Sequence, residues 1–164
     1  MQMYRYVSLL AMTAFLSCVS ALGAPREGGL INDLPHGYIG EFRWDGDETV
    51  QHVVIRFDQV RMLTDESAEA TGCGAYEVGR YVTKIKVQML VNRSDLRVQI
   101  LEQSPESGGN VTSGAFVTDG SHRGRLSRDL QQIDAEWTGA SGGKRGQLHL
   151  RASSSAVCAP STSL

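Results

Sequence analysis

From Tyr38 onward the chain alternates apolar and polar residues with a period of two, the pattern of half-buried β-strands. In "YIGEFRW", Tyr38, Phe42 and Trp44 share one face with Gly40, while Glu41 and Arg43 point the other way. "VQHVVIRFDQV" continues with Val53, Ile55 and Phe57 on one side and His52 and Arg56 on the other, and "DGDE" between the runs predicts a hairpin. "TGCGAYEVGRYVTKIKVQMLV" predicts a short strand bounded by Gly72, Gly74 and Gly79. A long strand follows, in which Tyr81, Ile85, Val87, Met89 and Val91 alternate with Lys84, Lys86 and Gln88. After a turn at "NRSD", "LRVQILEQ" repeats the pattern with Leu96, Val98 and Ile100. "SPESGGNVTSG" is a loop by composition, and "AFVTDG" and "HRGRLS" predict two short strands about an Asp119-Gly120 turn. In "SRDLQQIDAEW" helical and alternating spacings compete. Ile133, Ala135 and Trp137 favour a strand from about residue 131, after one helical turn. "GQLHLRA" closes the set with Leu148 and Leu150 inward. Short strands, tight turns and no long helix predict an all-β fold. The expected architecture is an antiparallel up-and-down barrel of about eight strands, with a β-sandwich as the alternative.

The N-terminal stretch reads as an address rather than as fold. Arg5 supplies a basic start, "VSLLAMTAFL" an apolar centre, and Val19-Ser20-Ala21 the small residues of a cleavage site. Residues 1–21 are therefore assigned to a signal peptide, 22–36 to a polar segment, 37–152 to the barrel and 153–164 to a C-terminal tail. The apolar run falls short of the roughly 20 residues a membrane span needs, so the expectation is an exported protein, secreted or periplasmic, with no transmembrane span. "FLSC" is similar to a lipobox, which makes a lipid anchor at Cys18 the minor alternative. Either route leaves Cys73 and Cys158, and a lone pair in an exported chain reads as a disulfide, here tethering the tail. The two cysteines lack the close ligand spacing of a metal site, and no metal or cofactor is expected.

Charge changes the picture little. The full chain is formally −2, with acids concentrated between residues 27 and 79 and an excess of basic residues between 122 and 164. No basic stripe is interleaved with aromatics, so nucleic acid is not an expected partner. Gly139-Ala140-Ser141-Gly142-Gly143 fits the Gly-x-Ser-x-Gly pattern, but a nucleophile elbow needs a following helix and later acid and histidine partners. "KRGQLHL" reads as a strand and no acid follows Glu136, so Ser141 belongs to a hairpin loop and no catalytic residue is assigned. The same stretch is no phosphate loop, because Thr138 and Arg145 stand where glycine and Ser or Thr are required. His36, His52, His122 and His149 lie far apart and each reads as a surface residue. "WDGDE" lacks the spaced ligands of a calcium loop. Asn92 and Asn110 open glycosylation sequons, which matter only in a eukaryotic secretory pathway.

"TGCGAYEVGRYVTKIKV" resembles the Gly-x-Tyr hairpin of avidin-like barrels, and "HRGRLSRDLQQIDAEWTGASGG" resembles their late strand pair. With "GYIGEF" as a first strand, the likeness spans residues 37–152 and fits the wider calycin-type group of eight-stranded barrels. It implies that Tyr76 and Trp137 line a ligand cavity, with Trp44 closing its floor. The chain departs from the avidin pattern in having no tryptophan between Trp44 and Trp137 and no acid after Glu136, which removes groups on which a biotin site is built. The reading that results is a barrel that binds rather than transforms. Its mouth would hold a small apolar or amphipathic ligand against Tyr38, Trp44, Tyr76 and Trp137. Two alternatives stand beside it. The loops "DGDETV", "SPESGGNVTSG" and "GASGGKRG" could dock on an extracytoplasmic protein, as an inhibitor or immunity protein does. A cyclase or dirigent-like barrel enzyme is the other, and a buried Glu or Arg inside the barrel would favour it.

Overall fold

The protein is described from a computed structural model covering residues 32–103, 120–139 and 142–158. The signal-peptide assignment, Cys18, Asn110, the strand predicted over residues 115–119 and Ser141 lie outside the described residues. The strands are β1 (Gly37–Trp44), β2 (Val50–Thr64), β3 (Ser67–Val78), β4 (Tyr81–Asn92), β5 (Arg97–Gln103), β6 (Gly120–Leu126), β7 (Gln132–Gly139) and β8 (Arg145–Ala152). Each pairs antiparallel with its neighbour in sequence, and β1 closes on β8 to complete an eight-stranded barrel. The alternative of a sandwich is thereby replaced by a calycin-like closed architecture. Closure removes both sheet edges that a sandwich would have to protect.

Alternation decides which side chains enter. Along β8, Gly146, Leu148 and Leu150 are buried while Arg145, Gln147, His149 and Arg151 face outward. Ile55, Phe57, Met89, Ile100, Ile133, Leu148 and Leu150 are buried almost completely in one continuous core. Burying each such side chain contributes roughly 1.5–3 kcal/mol.

Two strand boundaries and the exposure of one residue differ from the sequence reading. The predicted short strand between glycines is the second half of a strand that starts at Ser67, with Gly72 and Gly74 inside it. Gly72 is a point of close approach: a Cβ there would lie 1.9 Å from the Arg56 carbonyl oxygen, beside the register shift between Phe57 and Gln59. Tyr81 has the inward phase, yet it is 55% exposed because it stands at the very start of β4. Gly120 opens β6, pairing with Gly139, instead of forming the second half of a two-residue turn.

At the end where β1 begins, the barrel is covered by apolar side chains from two turns and from the segments before β1 and after β8. Leu34 and Ala156 are buried there, and Leu96 and Leu130 pack against the core from the turns before β5 and β7. Both leucines are left-handed, with φ of 57° and 61°, a conformation that costs a non-glycine residue roughly 1–2 kcal/mol. The cost is offset by their packing and by Tyr38, whose hydroxyl donates to the Leu130 carbonyl at 2.8 Å. The tail then runs outward, and Cys158 bonds to Cys73 on the outer face of β3, with 6.1 Å between their Cα atoms. This is the disulfide expected from the sequence, and it is compatible with an exported protein. Among the described residues no helix is long and apolar enough to cross a membrane.

Candidate ligand-binding site

At the opposite end, where β1 finishes and β8 starts, the interior changes character. Phe42, Trp44, Tyr76 and Trp137 form a chain of edge-to-face rings. Phe42 lies 4.7 Å from Trp44 and 5.8 Å from Tyr76, and Trp44 lies 4.9 Å from Trp137. Such contacts suit the ring quadrupole and add roughly 0.5–1.5 kcal/mol per pair beyond the area buried. Two glycines make room for the rings. A Cβ at Gly146 would lie 2.4 Å from the Phe42 ring, and one at Gly120 would lie 2.3 Å from Trp137.

Against this layer stands a group of polar side chains that the core encloses. Tyr76 donates its hydroxyl proton to Glu102. His122 Nε2 lies 2.9 Å from the same carboxylate oxygen and 3.1 Å from the tyrosine oxygen. With the tyrosine proton committed to the carboxylate, Nε2 must carry a hydrogen, because a lone pair there would face two oxygens. Among the described residues His122 Nδ1 is buried with no hydrogen-bond partner, and in the neutral imidazole it is an acceptor. The Phe42 ring covers the imidazole, with centroids 5.6 Å apart. An unsatisfied buried polar atom costs about 1–3 kcal/mol, which makes Nδ1 the point where this end is incomplete.

Of the four residues assigned from sequence, the structure brings three together and separates one. Trp44, Tyr76 and Trp137 share the aromatic layer, whereas Tyr38 is fully buried toward the covered end, against Phe57 and Leu130. Trp44 is half-buried, and the Lys144 ammonium sits 5.8 Å from its ring centroid. His36, His52 and His149 are exposed, but the reading of His122 as a surface residue is corrected: it is 0% exposed. Period-two spacing holds the missing signal. Counting on from Val98 and Ile100 reaches Glu102, and counting back from Leu126 through Gly124 reaches His122.

The remaining motifs do not converge on this layer. Asp47 is used locally, accepting the Thr49 backbone N–H at 2.8 Å, a bond that holds its carboxyl below the usual range. Asn92 likewise accepts from Ser94 and Asp95 inside its turn. Gly142 donates its backbone N–H to the Gly139 carbonyl at 2.9 Å. Among the described residues no three His, Cys, Asp or Glu side chains are grouped as metal ligands.

Burial pushes the Tyr76 hydroxyl well above its usual range, and the Glu102 charge and hydrogen bond push it further. Burial, followed by the Asp129 charge, raises Tyr38 as well. Both folded-state values exceed the unfolded one. The stability they contribute is therefore fully present below about pH 10 and is lost as pH rises, because only the unfolded chain then releases its protons. In an absorbance titration these two tyrosines are expected to ionise only as the barrel unfolds. Ionisation with the near-ultraviolet circular dichroism intact would contradict their burial. In comparisons with known proteins, no protein-family model and no curated protein matches this chain.

Proposed function

We propose that this chain is an exported β-barrel binding protein that holds a small apolar or amphipathic molecule at the Trp44 end. One observation carries the reading: the Tyr76–Glu102–His122 group is enclosed in an otherwise apolar core, with His122 Nδ1 unpaired among the described residues. An apolar core without these groups would fold at lower cost, since burying polar atoms that are not fully paired is unfavourable. A site made of aromatic walls with a few convergent polar groups is the usual composition of a small-molecule pocket. The reading also draws on the resemblance of the sequence to avidin-like barrels, in which the Gly-x-Tyr tyrosine and the late tryptophan face the ligand. Tyr76 and Trp137 are the matching residues and both belong to this layer.

The test is native mass spectrometry of protein purified from its own exported fraction, compared with denatured protein from the same sample. A co-purified small molecule is expected, lost on denaturation and lost from Trp137→Leu protein. A clean apoprotein that co-purifies with another protein would overturn this reading in favour of loop docking on an extracytoplasmic partner. Buried Glu102 beside Tyr76 and His122 favours a second reading, a cyclase or dirigent-like enzyme in which these groups move a proton. Chemical turnover of the co-purified molecule by the intact protein would mark that case.

A further inference from the structure

We infer that the ligand at the Trp44 end is an organic cation, an amine carried on an apolar body. The inference rests on the binding reading above and specifies its chemistry.

The first support is the inventory of charge. Among the described residues the buried polar side chains are Glu69, Glu102 and His122, with no Arg or Lys. Glu69 lies on the outer side of β3, where its carboxylate is held by Arg61 and Gln88. That leaves Glu102 as the carboxylate inside the barrel. A carboxylate or phosphate ligand would enter a low-dielectric space with a like charge and, among the described residues, no buried Arg or Lys to receive it.

The second support is the direction of the hydrogen bonds. The protons of Tyr76 and of His122 Nε2 are both directed at Glu102 and its immediate surroundings. With the imidazole neutral, what the cluster still offers among the described residues is acceptor capacity, at Nδ1. An ammonium supplies donors, and its charge is complementary to Glu102. A hydroxyl supplies the donor without the charge.

The third support is the ring layer. Trp, Tyr and Phe faces attract cations within about 6 Å of the ring centroid, and the attraction grows when water is excluded. The chain already places a cation of its own, the Lys144 ammonium, over the exposed side of Trp44. A ligand ammonium would be drawn by the same field.

Matched probes test this on the mature, oxidised protein. The short set is 2-phenylethylamine, 2-phenylethanol and 3-phenylpropanoate; the long set is dodecylamine, dodecanol and dodecanoate below their micelle concentrations. Binding is read by calorimetry and by the fluorescence of Trp44 and Trp137. Within at least one set, the amine is expected to bind about tenfold or more tightly than the alcohol, with the carboxylate weakest. Glu102→Gln should erase the preference for amine over alcohol. Lys144→Ala, a change at the rim, should tighten the amine by removing a competing cation, and it keeps the test open if Glu102→Gln fails to fold. If an alcohol or carboxylate binds as tightly as its amine, the charge assignment is overturned while the binding reading stands. If none of the six probes binds up to its solubility or micelle limit, both are overturned.

Discussion

Replacing Cys73 and Cys158 together by serine is expected to remove about 4–5 kcal/mol of stability. For a domain of this size that lowers the melting temperature by roughly 10–20 °C. The bridge spans 85 positions, so its loss frees a long loop in the unfolded chain, whose closure entropy grows with length. The folded state changes less. The tail is also fixed by the Ser153 amide donating to the Gly37 carbonyl at 2.9 Å and by buried Ala156, so it should stay seated in the folded barrel. Thermal melts of the oxidised protein, the reduced protein and the double variant separate these contributions. Equal midpoints for all three would show that the cross-link does not constrain the unfolded chain.

The second large effect lies in the polar group inside the barrel. Removing a single partner, as in Glu102→Ala, is expected to cost about 1–3 kcal/mol, because Tyr76 and His122 lose the acceptor they share and keep only each other, at 3.1 Å. Replacing all three at once by Tyr76→Phe, Glu102→Met and His122→Leu leaves nothing unpaired. Stability should then return to that of the parent or exceed it, by up to about 4 kcal/mol. The strong non-additivity is the signature of a coupled network and would be read from urea denaturation of the single and triple variants. Single costs that simply add, with the triple variant least stable, would show that each group packs independently. A triple variant as stable as the parent but devoid of bound ligand would tie the cluster to binding, since the fold would have no need of it.

How much of this was legible beforehand differs between the fold and the site. Period two was enough to place Phe42, Val53, Ile55, Phe57, Val87, Val98, Ile100, Ile133, Leu148 and Leu150 on the inner face, because a strand's side-chain direction depends only on position parity. The disulfide followed from a lone cysteine pair. Strand lengths were less legible. Glycine usually weakens a strand, so Gly72 and Gly74 read as boundaries until the close approach of the Arg56 carbonyl showed why glycine is needed within one.

The site was only half visible. Tyr76 and Trp137 came from a pattern of glycines and aromatics, and Trp44 from its phase in β1. Glu102 and His122 had the same inward phase, but a charged residue at a strand end reads as rim, and a solitary histidine as surface. Tyr38 was grouped with the other aromatics because parity gives the face of a sheet and says nothing of height along the barrel.

The sequence by itself determined the class of fold, the faces of the strands and the covalent cross-link, all of which depend on local spacing or on residue type. Only the tertiary structure decided that Tyr38 and Tyr76 serve opposite ends and that Tyr76, Glu102 and His122 meet. His122 is separated from Glu102 by 20 positions and from Tyr76 by 46. Their distances are set by the register of β3 to β6 around a closed barrel, and register is a property of paired strands that no single strand contains.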